Sequence, residues 1–511
     1  MPVFQQGAIN TTALVVPDLY VQIVPPSVTL LNGVPTNILG VVGTAQWGPV
    51  NSPVILGSMG DYAINFGAIQ NRKYDMGTHV ATAVLQGASN FRGVRVTDGT
   101  DLAASVIILS TCLTLTAKYT GTLGNALVAS TGPGSAANTS RITIALPGLV
   151  PEVYDNIAGT GNALWVNMAA AINNGTGPAR GISQLVVASA GAGVTALATA
   201  SYAFTAGTDG AGVSATNLIG VDTGTRTGMY ALRNTGASIG LLADCDTSST
   251  WTTIVSFALS EGVYMIGCGP AGDTITNAAT VKATAGIDSY AFKLLQGDWI
   301  YWADPVAGIT RVVSPQGFVA GRLANLSPEQ SSLNKQLYGI VATQRSVQSL
   351  PYSAAELTVL GQAGIDVICN PAPGGKYFAA RFGHNSSSNP VTNGDNYTRM
   401  TNYLAYTFNA GMGIYVGKLQ SQQSNDPVRR QVSATLSTFL QAMKDLQPQA
   451  QVDDFSVICD LSNNSPSRIA LGYLTADVKV RYLAVIEKFI VNLEGGQSVL
   501  VARQQTSASG S

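Results

Sequence analysis

Chemistry that needs an imidazole has two places to occur in this chain, His79 and His384. His79 falls on the apolar face of a helix expected from Asp75 to Gln86, where a side chain packs rather than reacts. His384 sits in Arg381-Phe382-Gly383-His384-Asn385, which reads as a loop with no second His or Cys nearby to share a metal. No GxSxG elbow marks a serine nucleophile, so a Ser–His–Asp triad has no anchor in the sequence. Pro371-Ala372-Pro373-Gly374-Gly375-Lys376 superficially suggests a phosphate loop, but the GxxxxGK spacing is absent and Tyr377 follows the lysine. Gly207-Thr208-Asp209-Gly210-Ala211 lacks the carboxylates that would continue a Ca²⁺ loop. Asp453 and Asp454 read as a solvated pair on a turn rather than an acid–base dyad. Trp299, Tyr301 and Trp302 are at strand spacing and read as packing between sheet and helix. The expectation is therefore no enzyme, with no catalytic, metal-binding or cofactor-binding residues.

The surface implied by the composition points elsewhere. Charged residues make up 11% of the 511 residues, against roughly 25% in an ordinary soluble chain. Gly, Ala, Ser, Thr, Asn and Gln take their place. Interface cores are depleted in charge, so a neutral, small-residue surface fits subunits packed on copies of themselves. The net charge is −1 and no Lys/Arg run exists, so neither nucleic acid nor an anionic membrane is an expected partner. No apolar run reaches about 18 residues, so no membrane insertion is expected. The N-terminus lacks the basic and apolar regions of a signal peptide. Five scattered cysteines (Cys112, Cys245, Cys268, Cys369, Cys459) without a CxxC read as buried thiols in a reducing compartment. The sequons at Asn10, Asn138 and Asn385 then carry no glycan.

Along the chain, both ends stand apart from the middle. The first sixty residues hold one charge, Asp18, and four prolines around Leu19-Tyr20-Val21-Gln22-Ile23-Val24, a β-like run. Proline is confined to strand ends and edges, so this segment reads as an extended arm. Beyond Gly495-Gly496 lies a second short apolar strand, Ser498-Val499-Leu500-Val501-Ala502. A lone strand past a hinge either folds back or adds to another chain's sheet edge. Leu19, Tyr20, Val21, Ile23, Val24, Val499, Leu500 and Val501 are the residues expected to make such additions.

Between the ends, Ile38 to Gly43, the helix from Asp75 and Phe91 to Val96 make strand, helix, strand, which predicts a parallel α/β sheet. Further buried strands are expected at 239–244, 263–267, 299–302 and 365–368, with a helix over 354–362. Residues 101–206 interrupt the rhythm with Gly-, Thr- and Ser-rich, mainly-β sequence. The clearest helix runs from Asp426 to about Leu446, capped by Asp426 with Pro427 at its first position. Val428, Val432, Leu436, Phe439, Leu440 and Met443 form its apolar face, with Arg429 and Arg430 off it. Phe455 to Ile458 and Val478 to Leu493 read as strands. The expected organisation is an arm over 1–25, an α/β core over 26–100 and 207–380, an inserted unit over 101–206, an α+β domain over 381–494 and a closing arm over 495–511. No repeat of fixed period occurs.

Several stretches, in order, resemble the contractile phage tail sheath family, related to the sheaths of R-type pyocins and type VI secretion. Gly40 to Gly67 (GVVGTAQWGPVNSPVILGSMGDYAINFG) resembles that family's N-terminal signature. Ala117 to Asn125 (AKYTGTLGN) resembles an element of its inserted domain. Asp298 to Ala324 (DWIYWADPVAGITRVVSPQGFVAGRLA) and Asp454 to Glu494, with the Asn463-Asn464 turn, resemble later segments. Departures occur at Ala379-Ala380-Arg381-Phe382 and Ser314-Pro315-Gln316-Gly317. The resemblance implies a subtilisin-like middle domain that lacks the protease's residues. It also implies assembly with itself as stacked six-fold rings around a tail tube protein, with arm exchange between subunits. Baseplate and tail terminator proteins would be further partners. Contraction would drive the tube through the host envelope for genome ejection. The subunit would be made in the host cytoplasm and reside in the virion tail. Arg429 and Arg430 would meet an acidic tube. A subtilisin-like hydrolase and a tube or capsid subunit are the competing readings.

Overall fold

The computed structural model describes residues 3–6, 20–23, 31–177 and 180–493. In the N-terminal arm, β1 (Val3–Gln6) and β2 (Tyr20–Ile23) pair in parallel with each other. No strand of the body joins them among the described residues. Tyr20, Val21 and Ile23 are thus in a strand as expected, whereas Leu19, Val24, Val499, Leu500 and Val501 lie outside the described residues.

The body opens with β3 (Leu39–Gly43), β4 (Pro53–Leu56), α1 (Met59–Phe66), α2 (Met76–Leu85) and β5 (Phe91–Arg95). Every residue of β3 is buried, as a strand covered on both faces requires. Helix α2 starts where the Asp75 carboxylate accepts the Thr78 N–H at 2.8 Å.

The inserted unit comes next: β6 (Ser105–Ile108), β7 (Leu113–Ala117), β8 (Val128–Pro133), β9 (Thr139–Ala145), β10 (Glu152–Ala158), α3 (Asn162–Asn174), β11 (Val186–Ala190) and β12 (Ala200–Ala203). Its two sheets, β10-β9-β8-β12 and β11-β7-β6, are antiparallel and meet where Ser105 bridges Thr205. Helix α3 packs on both β10 and β11, the two strands left at the open side. The unit has its own core around Trp165, Leu115 and Ile142. Fully buried Arg95, at the end of β5, donates to the carbonyls of Ala45 (3.0 Å), Gly48 (2.9 Å) and Thr120 (2.8 Å), tying this unit to the sheet.

The chain then returns through α4 (Ala215–Ile219), β13 (Ile239–Leu242), α5 (Trp251–Glu261), β14 (Tyr264–Cys268), α6 (Ile275–Thr284) and β15 (Phe292–Leu295). The resulting sheet has the order β15-β14-β13-β3-β5-β4 and is parallel except for edge strand β4. Strands β16 (Ile300–Asp304) and β17 (Ile309–Val313), helix α7 (Gln316–Asn325), β18 (Ile340–Thr343), α8 (Gln344–Val347) and α9 (Ala354–Ala363) follow. Helices α1, α2 and α7 cover one face of the large sheet, and α4, α5, α6 and α9 the other. Helices α2 and α7 are in backbone contact: a Cβ on Gly321 would lie 2.4 Å from the Ala83 Cα, so only glycine fits there.

Two expectations for this region change. The aromatic strand at 299–302 is β16, and it belongs to a separate antiparallel sheet, β17-β16-β18, because the chain reverses at once through a hairpin. Of residues 365–368, only Ile368 is in a strand, β19 (Ile368–Cys369), paired with β20 (Ala379–Ala380). Asp366 instead makes one parallel bridge to Leu295 at the edge of the large sheet.

The last part holds α10 (Asp395–Met412), α11 (Pro427–Lys444), β21 (Val452–Ile458), α12 (Pro466–Ala470) and β22 (Asp477–Tyr482). Strand β22 ends at Tyr482, and residues 483–493 form no strand, contrary to the expectation of one strand to Leu493. Among the described residues no strand pairs with them to fix a register.

Burial raises the Asp75 carboxyl to about 6, even though Thr78 donates to it twice. A folded value above the unfolded one favours the protonated form. The contribution is therefore complete below about 4 and is lost as pH rises through about 6. Asp75→Asn keeps the cap and removes the charge. It is expected to flatten that loss, on the order of 2–3 kcal/mol between pH 4 and 7, measured as urea midpoints of both proteins across that range.

Candidate functional site: a two-edged sheet and its straps

The features with functional content gather in the C-terminal unit. Helix α11 starts at Pro427 behind Asp426, whose carboxylate accepts the Arg429 N–H at 2.9 Å and the Ser421 N–H at 2.7 Å. Burial alone would raise the Asp426 carboxyl; these donors hold it below its usual range. Val432, Leu436, Phe439, Leu440 and Met443 are buried as the periodicity predicts. Arg429 departs from the expectation: it is buried, and its guanidinium donates to the carbonyls of Ser421 (2.7 Å) and Gln423. The loop before the helix folds back over it, so Arg429 holds that loop and does not face outward. Arg430 is exposed.

Strands β21 and β22 form a two-stranded antiparallel ribbon, with Phe455 opposite Val480 and Val457 opposite Val478. These residues pack on Met400 and Leu404 of α10 and on Phe439 and Leu440 of α11. Asp453 and Asp454 lie in β21 rather than on a turn; Asp454 pairs with Lys444 at 2.9 Å and Asp453 with Arg481. Asn464 is buried in the connection, accepting the Thr475 N–H at 2.7 Å. Among the described residues, no third strand pairs with β21 or β22. Among the described residues each therefore has one edge row of backbone donors and acceptors with no strand beside it, the kind of edge that serves as a template for strand addition.

Both ends of the chain are rooted here. Leu31 packs against the C-terminal unit's clusters, the Val34 N–H donates to Thr407 Oγ1 at 3.3 Å, and Arg399 of α10 donates to the Thr36 carbonyl at 3.4 Å. At the other end the chain leaves Tyr482 as an extended strap. Along it Ile486, Phe489, Ile490, Val491 and Leu493 are 80%, 85%, 80%, 68% and 90% exposed. Five large apolar side chains exposed within eight residues, broken only by Glu487, Lys488 and Asn492, are rare on a free subunit and mark a surface to be covered.

A buried ion cluster fastens this unit to the large sheet. Lys293 Nζ of β15 donates to Asp366 Oδ2 (2.6 Å), Asp395 Oδ1 (3.0 Å) and the His384 carbonyl (2.9 Å). Tyr264 and Ser332 hydroxyls each donate to Asp395 at 2.5 Å. The three charged side chains are fully buried. Burial works against every charge in it, yet the two carboxylates raise the Lys293 ammonium, and Lys293 lowers the Asp395 carboxyl.

The remaining candidates for chemistry have structural partners. His79 Nε2 lies 3.0 Å from Asp244 Oδ1 with both groups buried, and Ser314 Oγ donates to Gln316 rather than to the histidine. His384 is 2.8 Å from Glu487. Trp299 donates to the Gly269 carbonyl, and the 371–376 segment closes in an Ala372–Gly375 turn with Lys376 outside. All five cysteines are buried and free. Among the described residues no group of three His, Cys, Asp or Glu could hold a metal, and no helix is long and apolar enough to cross a membrane.

This fold is that of contractile sheath proteins. A sheath tail protein from Listeria innocua superposes with a TM-score of 0.59 at 12% identity, over 88% of this chain and 96% of that one. A sheath tail protein from Desulfitobacterium hafniense gives 0.56 at 14% identity, over 86% and 93%. The sheath of an extracellular contractile injection system in its contracted state gives 0.53 at 12% identity, over 95% and 99%. No family model and no curated protein matches the sequence.

Removing one partner from a buried charge network typically costs 3–5 kcal/mol. Lys293→Met, which leaves Asp366 and Asp395 facing each other, is expected to lower stability by about that amount, measured by urea unfolding.

Proposed function

We propose that this protein is the structural subunit of a contractile tail sheath. The observation that carries the reading is the exposed apolar strap running on from β22, beside a ribbon with two open edges. Each chain offers two end segments and two edges, so end segments and edges match in number when subunits link. The N-terminal strand and the C-terminal strap add to the β21–β22 ribbons of second copies. Main-chain hydrogen bonds hold there while the bodies rotate. The residues for this are Leu19, Tyr20, Val21, Ile23, Val24, Val499, Leu500 and Val501. The three-layer unit plays the part of the subtilisin-like domain as a rigid block, and the inserted unit sits on it.

Subunits stack as six-fold rings around a tail tube, end on a baseplate and a terminator, and contract to drive the tube into a host envelope. One of the sheaths that shares this fold was solved in a contracted state. Low charge at exchanging interfaces keeps their desolvation cost small. Arg430, exposed near the start of α11, meets the tube; Arg429 does not, because it is used inside. The hydrolase reading loses support from the buried, internally bonded His79 and Ser314.

Deleting residues 1–24 is expected to leave a folded, soluble body that forms no tubular sheath in electron micrographs; normal tubes would refute the role of the arm. Arg430→Glu is expected to preserve self-assembly while weakening co-sedimentation with the tube by several-fold. A serine-directed probe should label no single serine; stoichiometric labelling would restore the hydrolase.

A further inference from the structure

Among the described residues, the strap has a defined last hold on its own body. The Leu483 carbonyl accepts from Asn396 Nδ2 at 3.1 Å, and four residues later Glu487 Oε1 lies 2.8 Å from His384 Nε2. From Phe489 onward every described side chain is exposed. The two partners differ in kind. His384 is a fixed post: its ring stacks on Phe382 at 6.0 Å and 29°, and its carbonyl accepts from Lys293 of the buried cluster. The next residue back is fixed as well, since the Gly383 N–H donates to Asp366 at 2.9 Å. Glu487, by contrast, is carried by an extended segment with no strand partner and is 41% exposed. Beneath the strap lies an open groove of about 690 Å³, lined in part by Leu333, Lys335, Arg381 and Gln449. The strap bridges that groove and does not fill it. Leu483 and Val485 at its root are half-buried, but from Ile486 onward it is exposed, and its hold there is a polar pair that water can replace.

We propose that the His384–Glu487 pair is a latch. It keeps the root of the C-terminal strap against its own body in the free subunit, and strap transfer to a second copy starts when it opens. This rests on the reading that the strap reaches a neighbour, but the latch acts in the unassembled chain. Partly exposed ion pairs contribute little, so the latch biases the strap without locking it. Its removal is expected to raise the released population about two- to fivefold.

His384→Phe keeps the ring over Phe382 and removes the polar partner. In limited trypsin digestion of the full-length, unassembled protein, cleavage after Lys488 is expected to be two- to fivefold faster in the variant, with cleavage after Arg481 in β22 unchanged. An unchanged rate at Lys488 would overturn the latch, and equal acceleration at Arg481 would do so too, by showing general loosening. Light scattering on the same two proteins reads the consequence: a shorter lag before polymerisation in the variant. If neither protein polymerises while Lys488 cleavage still accelerates, the sheath reading fails and the latch stands.

Discussion

Lys293 is fully buried between two buried carboxylates from parts of the chain far apart in sequence, and a charge so placed leaves little geometric freedom. Asp366 arrives at the sheet edge by its bridge to Leu295, and Asp395 begins α10. Arg399, one turn later on α10, donates to the Leu326 and Ser327 carbonyls behind α7. Moving α10 by an ångström would leave an unpaired charge in the interior. The C-terminal unit is therefore seated on the α/β unit by electrostatic constraint, with Tyr264, Ser332 and the His384 carbonyl completing the shell. Residues 31–36, the ribbon and the strap all belong to the unit it fixes.

The seat explains a division of labour. Residues 31–36 run across α10 before entering β3, and the strap leaves from β22 on the same unit. The unit meets the large-sheet unit through the ion cluster, the Arg399 bonds, the Thr398 hydroxyl on the Tyr290 carbonyl (2.6 Å) and the covalent run of residues 31–36 into β3. In the sheath reading proposed above, main-chain pairing at the links is directional and cooperative, and body surfaces poor in charge part and meet again cheaply.

The inserted unit is built on a different principle. Its two sheets join at the Ser105–Thr205 bridge, and α3 closes the open side, so the unit needs no partner to satisfy its edges. Among the described residues, the C-terminal ribbon has no strand at either of its edges. One chain thus carries a self-contained β unit and an incomplete one, and the incomplete one sits where both ends emerge.

Periodicity and capping alone determined much of this molecule. The buried runs that became β3, β13 and β14, the helices α2, α9 and α11, and the strand at Tyr20–Ile23 could be read from the order of apolar residues, because those signals are local. Helix α10 was not legible, since its first turns, Asp395-Asn396-Tyr397-Thr398-Arg399, are polar and Gly394 offers no side-chain cap. Burial reverses the usual rule there: Asp395 and Arg399 are inside because their partners, Lys293 and the Leu326 and Ser327 carbonyls, come from other segments. Arg429 was misplaced for the same reason, its acceptors lying in a loop whose path no helical periodicity encodes. The extent of β22 and the tether at His384 also needed the tertiary structure. Whether an extended run is a strand or a strap depends on what lies beside it, and pairings across 102 and 103 residues are decided by the fold that brings them together.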